Sequence, residues 1–220
     1  MRERARTTLS LLRGVHQFLA EVPVPRGNLD VMRVNERLGA CIEQLAAHGV
    51  AIEYHGRAKV AATAKIRALA RSGRREHLRV VAQAAKVAFT RESGLQRAFR
   101  VPRIMRRPLV IADTLRGVAD AAGPYRADFA TGGLDHDFPE RLHSMADAIV
   151  DAVAERDMHV ARLRGATAGS IAAAAEGSAI VGILDGLVRS RLREHHESLA
   201  QWDAIRRKAR HKRYERTGTA

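Results

Sequence analysis

Glu140, His143 and Asp147 stand three and four residues apart, a spacing that sets three potential metal ligands along one face of a helix. Glu-x-x-His is how carboxylate bundles hold paired iron or manganese, and such a centre needs a second Glu-x-x-His and two more carboxylates. The matching segment of this chain, Glu36-Arg37-Leu38-Gly39, carries glycine where the second histidine is required. Leu142, Met145 and Ile149 mark the buried side of the same stretch, which turns Glu140 and Asp147 outward. A solvated helix face is therefore expected there, and no metal site is assigned.

The other histidine groups carry less chemistry. His55 and His159 each precede a threonine by eight residues and read as core or surface positions, since acid–base work needs a carboxylate partner and a pocket. Glu194-His195-His196-Glu197 lacks the pair of histidines four apart that zinc proteases use. A helix surface with His195 turned inward is expected instead. Phosphate-binding glycine loops and a serine nucleophile elbow are absent from the sequence. Gly165-x-x-x-Gly169 and Gly182-x-x-x-Gly186 read as sites of close helix packing. Cys41, the single cysteine, lies beside an apolar stripe and is expected to be a buried, inert thiol. No catalytic residue, cofactor or small-molecule site is assigned, and enzyme activity has no positive support.

Charge is the stronger lead. The chain carries a net +14, unevenly spread. Residues 1–108 hold 22 Lys and Arg against 8 Asp and Glu, residues 109–205 hold 9 against 15, and residues 206–220 hold 7 against 1. Between 57 and 79 there are Arg57, Lys59, Lys65, Arg67, Arg71, Arg74, Arg75 and Arg79 against Glu76 alone. The candidate polyanion-binding set is Arg67, Arg71, Arg74, Arg75, Arg100, Arg103, Arg106, Arg107, Arg206, Arg207, Lys208 and Lys212. Such residues neutralise phosphates without reading sequence. Only Phe99 and Tyr214 stand near these clusters, so base-specific readout has no support. The competing expectation is that the acidic second half neutralises the basic first half internally.

The elements that carry these residues are helical. Ala, Leu and Arg dominate, aromatics are 4%, and only six prolines interrupt 220 residues. Apolar periodicity predicts helices over about 5–22, 30–72, 74–92 and 108–131, the last kinked or split at Pro124. A fifth is predicted to start at Asp137-Phe138-Pro139-Glu140 and to run to Glu176. Gly73 and Gly177 are each expected to turn the chain, and a sixth helix follows to about 213 with Val181, Val188, His195 and Trp202 at heptad spacing. Ser93–Pro108 is read as the connector. No uncharged apolar run reaches membrane length, because Glu176 and Asp185 interrupt Ala166–Val188.

The sequence also repeats. Gly27-Asn28-Leu29-Asp30 is echoed by Gly132-Gly133-Leu134-Asp135, and between 36–73 and 140–177 ten of 38 positions are identical. Four of the ten are Ala–Ala, so chance competes with duplication. The expected architecture is an all-α, elongated bundle of about six helices. It is built from a basic first half (1–104), an acidic second half (105–205) and a basic tail (206–220).

The run Gly94-Leu95, Phe99-Arg100-Val101-Pro102, Phe129, Gly132-Gly133-Leu134, Ala166-Thr167-Ala168, Leu184-Asp185, Val188-Arg189, Leu199 and Trp202 resembles a group of bacterial hypothetical proteins. The resemblance spans roughly residues 60–205. It implies an all-helical protein of unassigned function and carries no site residues. The expected function is that of a non-enzymatic structural or interaction protein, cytoplasmic and without cofactor, binding a protein partner or itself through a helical face. The alternative is an accessory binder of nucleic acid or another polyanion.

Overall fold

The computed structural model describes residues 3–22, 29–102 and 107–214, with the side chains at 4, 29, 30 and 208–214 outside that description. The chain is all-α. In order it forms α1 (Glu3–Glu21), α2 (Leu29–Ser72), a π-helical turn (Gly73–Leu78), α3 (Arg79–Ala88) and α4 (Ser93–Ala98). Then come α5 (Pro108–Ala122), a 3₁₀ turn (Gly123–Tyr125), α6 (Arg126–Thr131), α7 (Phe138–Arg191) and α8 (His196–Tyr214).

Local chemistry explains several boundaries. Pro108 opens α5, where its missing N–H costs nothing. Pro124 falls in the 3₁₀ turn that separates α5 from α6, as its position in the stripe predicts. Gly133, with φ +89°, is the one residue with positive φ among those described, and it closes the turn after α6.

Four sequence-based expectations are corrected. Gly177 does not turn the chain: α7 continues for 54 residues to Arg191. A mid-helix glycine costs only about 1 kcal/mol against alanine, and packing recovers it here. Gly73 does not adopt the left-handed conformation; it opens the π-turn instead. His195 is exposed, in the turn between α7 and α8, and Leu192 fills the buried place after Val188. The connector is partly helical, as α4.

The contacts divide into two compact units. Unit 1 comprises residues 1–55 and 161–220, and unit 2 comprises residues 56–160. Both boundaries fall inside the long helices α2 and α7, so each unit draws on both halves of the sequence. The core of unit 1 gathers Leu12, Val15 and Phe18 from α1, Leu38, Cys41 and Leu45 from α2, Ile180, Leu184 and Val188 from α7, and Trp202 from α8. The core of unit 2 gathers Leu78, Val81 and Ala85, then Phe89 and Phe99, Leu115 and Ala119 from α5, and Leu142, Ala146 and Ile149 from α7. Phe129 sits among Phe89, Phe99 and Phe138 with ring centroids 5.0–5.4 Å away.

Several buried positions of the two cores recur at a nearly constant spacing. Leu12 and Leu115 are buried at an offset of 103, and Leu38/Leu142 and Leu45/Ile149 at 104. Gly73 and Gly177 are both buried, also at 104. A Cβ on Gly73 would stand 3.1 Å from Leu115 Cδ1, and one on Gly177 would stand 2.5 Å from Leu12 Cδ1. Each glycine thus lies beneath the leucine of a helix from the other half of the sequence. Beyond the glycines the offset falls to 103: Leu78/Val181, Val81/Leu184, Ala85/Val188, Phe89/Leu192 and Phe99/Trp202 are all buried pairs. The π-turn holds the one residue that makes the difference.

Among the described residues, α7 is the one helix long and apolar enough to cross a membrane, by length and composition alone. One third of that apolar stretch is buried, and Ala173, Ile180, Val181, Leu184 and Val188 of α7 pack with residues of α1, α2 and α8.

Candidate polyanion-binding face

Arg67 and Arg71 stand exposed on the last turns of α2, Arg75 is exposed in the π-turn, and Arg79 and Lys86 are exposed on α3. Ile66, Gly73, Leu78, Val81 and Ala85, on the opposite side of the same segment, are buried. Burial of that side fixes the cationic side outward. None of the five has an ion-pair partner among the described residues, whereas the neighbouring Lys65 pairs with Glu155 at 3.0 Å. Arg74 is half-buried and has a partner of its own.

Acidic residues of the second half are engaged mostly by second-half cations. Arg116 binds Asp147 at 2.7 Å, Arg126 binds Glu140 at 2.5 Å, and Arg141 binds Asp135 at 2.7 Å and Asp137 at 3.4 Å. Arg37–Glu176 at 3.4 Å and Lys65–Glu155 at 3.0 Å join a first-half cation to a second-half acid. These pairs also disperse the metal-like triad: Glu140 is held by Arg126, His143 Nε2 meets Asp120 at 3.1 Å, and Asp147 is held by Arg116. No group of three potential ligands converges among the described residues.

The rest of the sequence-predicted set is scattered. Arg100 and Arg107 are exposed in unit 2, and Arg103 and Arg106 lie outside the described residues. Arg206 is engaged by Asp185, and Arg207 donates from Nε to the Asp203 carbonyl at 3.4 Å. The side chains of Lys208 and Lys212 lie outside the described residues. The structure therefore brings together Arg67, Arg71 and Arg75, and adds Arg79 and Lys86. Lys86 was missed because it sits seven residues beyond the run of arginines; a one-residue change in the spacing of matched apolar positions was the available signal.

Phe99 is buried against Phe89 and Phe129 and is not available for base stacking. A shallow cleft of about 250 Å³ lies beside the π-turn, lined by Glu76, His77, Val80, Val81, Leu134, Phe138, Arg141 and Leu142. Burial lowers the pKa of His77, with the Glu76 charge opposing and Arg141 assisting. Glu76 accepts from Ser72 Oγ at 2.6 Å and Arg141 is tied to its two aspartates, so those polar groups are already committed. Cys41 is buried, and burial followed by the charge of Glu176 pushes its thiol pKa up. His159 is buried; His55 is half-buried, with its ring 5.0 Å from that of Tyr54.

Comparison with protein-family models, curated proteins and solved structures found no match.

Proposed function

We propose that this chain is a non-enzymatic interaction protein whose working surface is the basic face of unit 2, and that its ligand is a polyanion. The observation that carries the reading is the set of five exposed cations, Arg67, Arg71, Arg75, Arg79 and Lys86, without a carboxylate partner among the described residues. A net charge of +14 strengthens the attraction at long range. Heparin retention tests it. Replacing Arg67, Arg71, Arg75 and Arg79 with Gln should move elution to markedly lower salt, while unchanged elution would contradict the reading.

A second reading, a protein partner or a second copy of the chain, is favoured by the exposed side of α7. Gly165, Ala168, Ala172, Ala175, Ala179, Gly182 and Gly186 alternate at spacings of three and four, and all are exposed. Ile171 and Ile183, also exposed, flank them. Small residues at that spacing admit a close helix. Light scattering across a concentration series, with Ala175→Glu as control, tests self-association. A mass that stays monomeric and is the same in both proteins would count against the second-copy form.

The crossed correspondence of the two cores supports duplication of an ancestral half. Separately expressed 1–104 and 105–220 should then regain helicity only when mixed. Full helicity of either piece alone would argue against interlocked halves.

A further inference from the structure

We propose that the π-turn aligns Arg67, Arg71, Arg75, Arg79 and Lys86 into one straight basic line that takes the sugar–phosphate backbone of duplex nucleic acid. The inference rests on the polyanion reading and narrows it to the shape of the ligand.

An α-helix turns by about 100° per residue. In an unbroken helix Arg79, twelve residues after Arg67, would stand about 120° away from it, and Lys86 about 100° away. The two ends of the basic segment would then face different directions. The π-turn Gly73–Leu78 accommodates one extra residue, which sets everything after it back by about one residue's rotation. Arg79 returns to within about 20° of Arg67, and Lys86 falls almost directly in line. Arg75 lies between them within the turn.

The buried side reports the same rotation. Leu78, Val81 and Ala85 remain in the core with Ile66 and Gly73, five positions that would spread over about 140° on an unbroken helix. The matching stretch of α7 reaches Val181, Leu184 and Val188 from Gly177 with one residue fewer and no π-turn. That stretch carries no comparable row of cations: between 171 and 190 its one basic residue is Arg189, which is paired with Asp185 and Asp203.

Five cations over twenty residues give a row about 28 Å long, with successive arginines about 6 Å apart. Glu76 is the one carboxylate from 54 to 91, and Ser72 engages it. A straight, rigid row suits a straight, rigid polyanion, and duplex nucleic acid presents a charge about every 1.7 Å of its axis. Single strands are held largely by stacking on aromatics. The only aromatics between 57 and 107 are Phe89 and Phe99, and both are buried.

A charge-relocated variant tests the line apart from net charge: Arg67→Gln with Ala68→Arg, and Lys86→Gln with Val87→Lys. Positions 68 and 87 are exposed, and each exchange moves one cation by about 100° around the helix. Fluorescence anisotropy is read against a duplex of about 20 base pairs and a single strand of equal length, with circular dichroism to verify folding. The native chain should lose about 500-fold in duplex affinity between 50 and 200 mM salt, as expected for about five phosphate contacts. The relocated variant should lose about two of those contacts and flatten the salt dependence accordingly. The single strand should bind the native chain about tenfold more weakly or worse. A folded relocated variant with native affinity and salt dependence overturns the line, and so does equal affinity of the native chain for the single strand. Binding of heparin with the duplex ignored overturns the duplex assignment alone. Failure of duplex, single strand and heparin together removes the polyanion reading itself.

Discussion

The indole Nε1 of Trp202 donates a 2.8 Å hydrogen bond to Oδ1 of Asp185, tying α8 to α7. Arg189 and Arg206 both engage the same carboxylate, and Arg189 also reaches Asp203. The Trp202 ring is fully buried, 5.3 Å from that of Phe18. Loss of the ring in Trp202→Ala should cost about 3–5 kcal/mol, while Trp202→Phe should cost about 1 kcal/mol for the lost hydrogen bond. Chemical denaturation followed by circular dichroism checks both values.

The same carboxylate sets a pH dependence. Burial pushes the Asp185 pKa up, but the hydrogen bonds from Arg206 and Trp202, with the charges of Arg206 and Arg189, outweigh it and leave the pKa lowered. A carboxyl lowered on folding stabilises the fold above its unfolded value of about 3.9, and that contribution is lost as pH falls through the folded value. Asp185→Asn should therefore destabilise at pH 7 by about 1–2 kcal/mol and by progressively less below about pH 4. Thermal melts at neutral and acidic pH give the comparison, and an equal difference at both would contradict the clamp.

His77 carries the opposite titration. Its lowered pKa, caused first by burial, favours the neutral ring in the folded chain. Its contribution is complete above the unfolded value of about 6.5 and declines as pH falls below it. His77→Leu should therefore lose less stability than the native chain between pH 7 and pH 5. Equal losses would show that the ring titrates freely.

Glycine-to-alanine changes in α7 should differ in sign. At Gly177 the new methyl group meets Leu12, so destabilisation of about 1–3 kcal/mol is expected. At Gly182 nothing lies within 4 Å, and alanine should stabilise by up to about 1 kcal/mol. Combining Gly177→Ala with Leu12→Val should recover part of the first loss. Melting temperatures of the three proteins decide it.

Much of the helical architecture was legible. Apolar stripes gave the ends of α2 to within a residue, Pro124 marked the break between α5 and α6, and Pro139 the start of α7. Gly73 and Gly177 misled because sequence cannot distinguish a glycine that frees the backbone from one that admits a neighbour's side chain. Leu12 and Leu115, far away in the chain, decide between these roles. His195 misled for a related reason: the heptad Val181–Val188–His195–Trp202 continues across a break, and Trp202 reaches the core from a new helix. The arginines were legible as a charge excess, but not as a line. Alignment of Arg79 and Lys86 with Arg67 needs the π-turn, whose trace in the sequence is a one-residue change in the spacing of matched apolar positions.

Whether the basic line binds duplex nucleic acid is decided by the salt dependence of duplex binding for the native chain and for Arg67→Gln/Arg71→Gln/Arg75→Gln/Arg79→Gln. Four lost phosphate contacts should reduce the slope of log affinity against log salt by about 3.6, while exposed substitutions leave stability within about 0.5 kcal/mol. A slope unchanged by the four replacements in a folded protein would contradict the account.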